Sequence, residues 1–273
     1  MKRILIGMTA VASLLATSAF AADLPMQSYT KAPVFAEPLF NWTGFYIGGN
    51  LGYSLGSSSN TETISNSRTG ATVANGAARD NVNGLIGGGQ LGYNWQMSRW
   101  VAGLEGDFQG SREVGFANFV CLGCGDGPSN LTSTLTQHLA WFGTVRGRAG
   151  ILVTPAVLLY GTGGLAYGEV DTAGSISGPT LQGPGSAVFP NLTSTRVGWT
   201  AGAGIEGVIG GNWTAKLEYL YMDLGTAGFG PLATNILVPV RTNAGVSYSS
   251  HFTDNILRVG INYKFDGPVL ARY

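Results

Sequence analysis

Two segments, Gly87-Gly88-Gly89-Gln90-Leu91-Gly92 and Gly202-Ala203-Gly204-Ile205-Glu206-Gly207, carry the G-x-G-x-x-G spacing that lets a backbone approach a pyrophosphate. That chemistry needs a helix N-terminus to receive the anion. Both segments lie instead within runs of alternating apolar and polar residues, so no nucleotide site is expected. Cys121-Leu122-Gly123-Cys124 has the spacing of a redox or metal pair. With no strand-helix setting and no further ligands nearby, a local disulfide between Cys121 and Cys124 is expected. The two histidines are His138 and His251, and Ser249, Ser250 and Asp254 stand beside the second. Neighbours on a strand point to opposite faces, so contiguity does not build a triad. No catalytic, cofactor-binding or metal-ligating set is expected.

The charged residues that do form a pattern are Glu105, Asp107, Arg146, Arg148, Glu206, Lys216, Glu218, Arg258 and Lys264. Each stands on the polar face of a segment whose other face is apolar. In 255–265, Leu257, Val259, Ile261, Tyr263 and Phe265 alternate with Arg258, Gly260, Asn262 and Lys264. The same period of two runs through segments near 43–53, 85–96, 100–109, 138–153, 157–168, 196–206 and 215–219. About ten residues is the length of a tilted strand that crosses a bilayer. The opposed signs on the polar faces predict an enclosed lumen in which the charges pair. Counted from the tight turns, Glu105 and Asp107 should stand at the heights of Arg148 and Arg146.

The connections alternate in length. Met97-Ser98-Arg99, Thr154-Pro155 and Gly210-Gly211-Asn212 are tight, whereas 54–83, 110–137, 169–194 and 225–251 are long and rich in Ser, Thr, Asn and Gly. Trp95, Trp100, Trp213, Tyr263 and Phe265 gather at one end of the strands, and Tyr53, Phe108, Trp141, Tyr167 and Trp199 towards the other. Two aromatic girdles are expected where rings meet lipid headgroups. The fold class that follows is all-β: an eight-stranded antiparallel transmembrane β-barrel with short periplasmic turns and long extracellular loops. A soluble β-sandwich would share the alternation, but its polar faces would look at water and need no balance of charge.

Composition agrees with a membrane setting. Of the 273 residues, 44% are hydrophobic and only 11% are Asp, Glu, Lys or Arg, against roughly 25% charged in soluble domains. The formal net charge of zero gives no electrostatic case for nucleic acid. Lys2 and Arg3, the apolar stretch 4–16 and Ala19-Phe20-Ala21 read as a cleaved signal peptide over 1–21. A periplasmic N-terminal linker, 22–41, carries Pro25, Pro33 and Pro38. The barrel is expected over 42–265 and a short C-terminal extension over 266–273.

Several segments together resemble the small porin-like surface proteins of alphaproteobacteria, a group that includes the major surface antigens of Brucella and heme-binding surface proteins of Bartonella. They are Asn41 to Gly49, Gly92-Tyr93-Asn94-Trp95-Gln96, Trp141 to Arg148, Leu217-Glu218-Tyr219-Leu220-Tyr221 and Val259 to Phe265. The resemblance implies an outer-membrane barrel of the opacity-protein type. It also implies insertion from the periplasm by the barrel assembly machinery with its chaperones, and outer-membrane lipid and lipopolysaccharide as surroundings. It further raises heme or metal capture by His138, His251 or loop tyrosines. One departure is that Asp266 to Arg272 separate Phe265 from the final Tyr273, where such barrels end on the aromatic that closes the last strand. The expected function is a non-enzymatic surface protein that supports the envelope and displays its loops. The alternatives are a narrow channel for ions or small solutes and loop-mediated adhesion or heme binding. An eight-stranded interior is just wide enough for side chains to fill, which weighs against the channel. The sequence sets no oligomeric state.

Overall fold

A computed structural model describes residues 40–124, 129–238 and 242–265. The expected signal peptide, nearly all of the linker and the C-terminal extension lie outside those residues. Eight strands follow in order: β1 (Gly44–Asn66), β2 (Thr72–Met97), β3 (Trp100–Cys121), β4 (Leu131–Thr154), β5 (Val157–Thr180), β6 (Gly183–Gly210), β7 (Trp213–Val238) and β8 (Thr242–Lys264). Each pairs antiparallel with its sequence neighbour, and β1 closes on β8 through pairs such as Gly48↔Asn262 and Gly52↔Arg258.

The alternation drives this closure. Phe45, Ile47, Leu51 and Tyr53 of β1 stand outward and exposed, while the intervening Tyr46 and the following Ser54 are buried. The tight turns are two-residue hairpins, and two of the three use left-handed backbone. Ser98 adopts φ 58° in the first, and Gly211 adopts φ 51° in the third. Trp213 packs edge-on to Tyr263, and Tyr263 to Phe265, at the short-turn rim; Phe108, Trp141 and Tyr167 form a ring cluster at the other.

The four long connections are long, but they are not irregular loops. The strands continue through them, leaving only 67–71, 122–130, 181–182 and 239–241 between strand ends. Beyond the upper aromatics the polarity of the alternation reverses along β8, whereas β3 keeps Val114, Phe116 and Val120 outward. Along β8, outward positions pass from Ile261, Val259 and Leu257 to Asn255, Thr253 and His251, while inward ones pass from Asn262 and Arg258 to Phe252, Tyr248 and Val246. Lipid faces the lower half and water the upper, so the apolar face changes sides. A bulge between Leu139 and Trp141 also shifts the face parity of β4, breaking the single alternation expected for 138–153.

The upper half differs from a barrel in one further respect. Pairing of β2 with β3 runs only from Met97↔Trp100 to Asn83↔Val114, and that of β6 with β7 only from Gly210↔Trp213 to Trp199↔Asp223. Above those points, among the described residues, the ring divides into two four-stranded sheets, β2-β1-β8-β7 and β3-β4-β5-β6. Ile64, Val246, Tyr248 and Ile236 of the first sheet pack against Phe119, Leu131, Leu135, Ile176 and Phe189 of the second. The barrel thus carries a β-sandwich on its extracellular end.

Candidate functional site

All nine charged residues singled out by their alternation are buried in the lumen. β3 supplies Glu105 and Asp107, β4 Arg146 and Arg148, β6 Glu206, β7 Lys216 and Glu218, and β8 Arg258. Arg146 Nη2 meets Glu105 Oε1 at 2.5 Å and Asp107 Oδ2 at 2.9 Å, and its Nη1 lies 3.3 Å from Glu218. Arg258 Nη2 reaches Glu218 at 2.6 Å and Asp107 at 3.0 Å. Lys216 Nζ donates to both oxygens of Glu105, at 2.9 and 3.0 Å. Arg148 crosses the lumen to Glu206 at 2.6 Å. Four carboxylates therefore meet four cations, and this layer carries no net charge.

Lys264, the ninth, lies at the periplasmic end with Nζ 5.5 Å from the centre of the Phe40 ring. The expected heights are corrected by two residues: Glu105 stands opposite Arg146, and Arg148 stands opposite Gly103. The stagger of neighbouring strands is responsible, because Trp100 pairs with Ile151 and leaves β4 extending below it.

Two tyrosines complete the layer, and charge spacing alone does not reveal them. Tyr46 Oη donates to Glu105 Oε2 at 2.7 Å and accepts from Arg148 Nη1 at 3.1 Å, while Tyr160 Oη donates to Glu218 Oε1 at 2.9 Å. The Arg148 guanidinium also lies 4.1 Å from the centre of the Tyr160 ring. Their inward parity was the signal. Glycine makes their room: a Cβ at Gly92 would stand 2.4 Å from Tyr46 Oη, and one at Gly204 2.6 Å from Tyr160 Oη. Thr144 donates to the same Asp107 Oδ2 that the two arginines hold, and Thr214 and Asn262 donate to the other oxygen of Glu206, Oε1. Trp42, Val101, Leu152 and Leu158 pack on the periplasmic side, and Ile86, Phe142, Leu220 and Ile256 on the extracellular side. The charged layer is enclosed between apolar ones.

The remaining candidates lie elsewhere. Cys121 and Cys124 are disulfide-bonded in the β3–β4 connection, with Cα atoms 5.6 Å apart. His251 Nε2 lies 3.6 Å from Asp223 and its Nδ1 3.0 Å from Thr226 Oγ1. Ser250 and Asp254 point into the interior instead, bonding Ser58 and Ser54. His138 Nδ1 lies 4.0 Å from Asp171. Among the described residues, no group of three or more His, Cys, Asp or Glu side chains is arranged to hold a metal ion.

With this geometry in place, comparison with known proteins decides the family. The model of the outer membrane protein beta-barrel domain matches residues 8–265. The chain belongs to that family. The 31 kDa outer-membrane immunogenic protein of Brucella melitensis biotype 1 is 36% identical over 259 residues, covering 94% of this chain and 98% of that protein. The 22 kDa outer membrane protein of Rhizobium leguminosarum bv. viciae is 30% identical over 235 residues, covering 86% and 82%. Among solved structures, outer membrane protein OprG from Pseudomonas aeruginosa aligns over 83% of this chain and 98% of its own, with 12% identity and a TM-score of 0.44. The resemblance to small alphaproteobacterial outer-membrane proteins therefore holds. The chain is an outer-membrane β-barrel of the Gram-negative envelope.

Proposed function

We propose that the protein is a non-enzymatic, sealed membrane anchor that strengthens the envelope and presents its extracellular sandwich to the surroundings. The carrying observation is the lumen: four carboxylates and four cations, buried and bonded to one another, lie between two apolar layers. A conducting pathway would have to break these bonds between buried charges, at a high cost for each one left unpaired. The names of the Brucella relatives, outer-membrane immunogenic proteins, suit a surface-presented role. Above the upper girdle, exposed Arg79 and Arg112 point outward, where lipopolysaccharide phosphates would meet them. Assembly through periplasmic chaperones and the barrel machinery accords with the closed, edge-free lower half. A liposome-swelling assay tests the reading. Vesicles carrying the folded protein should not swell in isotonic sugars, and swelling at a rate set by sugar size would favour the channel alternative.

A further inference from the structure

Above Asn83↔Val114, the strand segments 72–82 of β2 and 115–121 of β3 keep a ladder partner on one side only. Side chains hold the seam in place of backbone bonds. A Cβ at Gly76 would stand 2.9 Å from the Phe119 ring, and one at Gly115 would stand 2.6 Å from both Asp80 and Val82. At this seam lies a cavity of about 180 Å³, lined by Ile64, Phe119 and Leu131 with Glu62 and Ser133. Since water occupies about 30 Å³ per molecule, the space holds a small polar head and a few methylenes.

Glu62 is only 1% exposed, yet neither of its carboxylate oxygens has a hydrogen-bond partner. Ser133 and Tyr248 lie beside it, but one of their two hydroxyl protons joins them to each other at 2.6 Å, which leaves at most one to turn towards the carboxylate. Burial pushes the Glu62 pKa up, and these two hydroxyls only temper the effect. Among the described residues, the other charged side chains buried in the same extracellular half are Asp80, Glu113, Asp254 and Arg196. Arg196 is engaged with the Ser250 carbonyl at 3.1 Å. Among the described residues of this interior, carboxyls outnumber cations and Arg196 is already engaged. A buried carboxyl with no cation beside it and few donors is costly, and a charge-assisted donor is what would relieve it.

We propose that the β2–β3 seam binds a guanidinium or ammonium group on an aliphatic stem, with Glu62 as its counter-ion and Phe119 and Leu131 flanking the stem. Such a group reaches the site as a free small cation or as the basic side chain of an extended peptide. The one-sided edges of β2 and β3 could also pair with the backbone of that peptide.

The test is calorimetric titration of the folded, full-length barrel in detergent micelles with n-butylguanidinium, with n-butylurea as its neutral counterpart, and with a short extended peptide bearing one arginine. Saturable binding of the guanidinium or the peptide is expected, weakened at least about tenfold by Glu62→Gln and absent for the urea. Tighter binding of the peptide would assign the source to a strand, and equal or weaker binding to a free cation. Ala74→Trp, which fills the cavity and leaves Glu62 in place, should also abolish binding while the unboiled protein still runs as a folded band. Unchanged affinity in Glu62→Gln or in folded Ala74→Trp, equal binding of the urea, or no saturable binding of either cation would overturn the proposal.

Discussion

Glu105 faces Arg146, Arg148, Lys216 and Arg258 and accepts from Tyr46, so each cation of the layer is tied to the others through shared acceptors. In such a network, removing one member costs more than removing a balanced pair. Arg146→Ala strips partners from Glu105, Asp107 and Glu218 together, and is expected to lower stability by about 3–5 kcal/mol. Replacing Arg148 and Glu206 jointly by Met should change stability far less, because both desolvation penalties disappear with the bond. Equilibrium urea unfolding in lipid vesicles, followed by tryptophan fluorescence, measures both. The nine charges were legible in the sequence because each falls on the polar face of an alternating strand. Their partners were less so, since Glu105↔Arg146 depends on a stagger that the turns alone do not set.

At the scale of the strands, one alternating chain serves two solvents. The apolar face of β8 meets lipid through Leu257, Val259 and Ile261, and higher up turns inward, with Phe252 in the apolar layer above the charges and Tyr248 and Val246 in the sandwich core. Val259→Arg should therefore lower folding stability in a bilayer by about 2–4 kcal/mol. Thr253→Arg, outward but above the belt, should change it by less than about 0.5 kcal/mol. Matched urea titrations distinguish the two positions. The lower strands were readable because their outward residues are large and apolar. The upper ones were not, because 54–83 and its counterparts are rich in Ser, Thr, Asn and Gly, and because the apolar residues there had changed face.

The upper half also carries a pH response. Glu113 lies beyond Gly110, past the lipid-facing Phe108, and outward Arg112 precedes it. Burial, then repulsion from Asp254, pushes its pKa up to about 9, against the opposing effect of Ser54 and Ser111 hydroxyls. The folded state thus holds a proton that the unfolded chain releases near the ordinary value of 4.5. The stability tied to that proton is fully present below about 4.5 and is lost as pH rises towards about 9. Hydrogen exchange of β3 and β8 amides, corrected for intrinsic rates, should show weaker protection at pH 9 than at pH 6 in the native protein. Glu113→Gln should remove most of that difference; an unchanged difference would place its origin elsewhere.

For the whole molecule, the layers of the lumen explain why a closed ring of strands need not be a pore. Trp42 and its neighbours fill the periplasmic end, the neutral charge network the middle, and apolar side chains the region above it. The extracellular sandwich then continues the packed interior outward. Function is thereby directed to the outer surface and to the seams where the two sheets part. Planar-bilayer recording of the native protein tests this account most directly. A sealed lumen predicts no stable openings, with brief, small ion-sized events at most. Large, long-lived openings that admit sugar-sized solutes would contradict it.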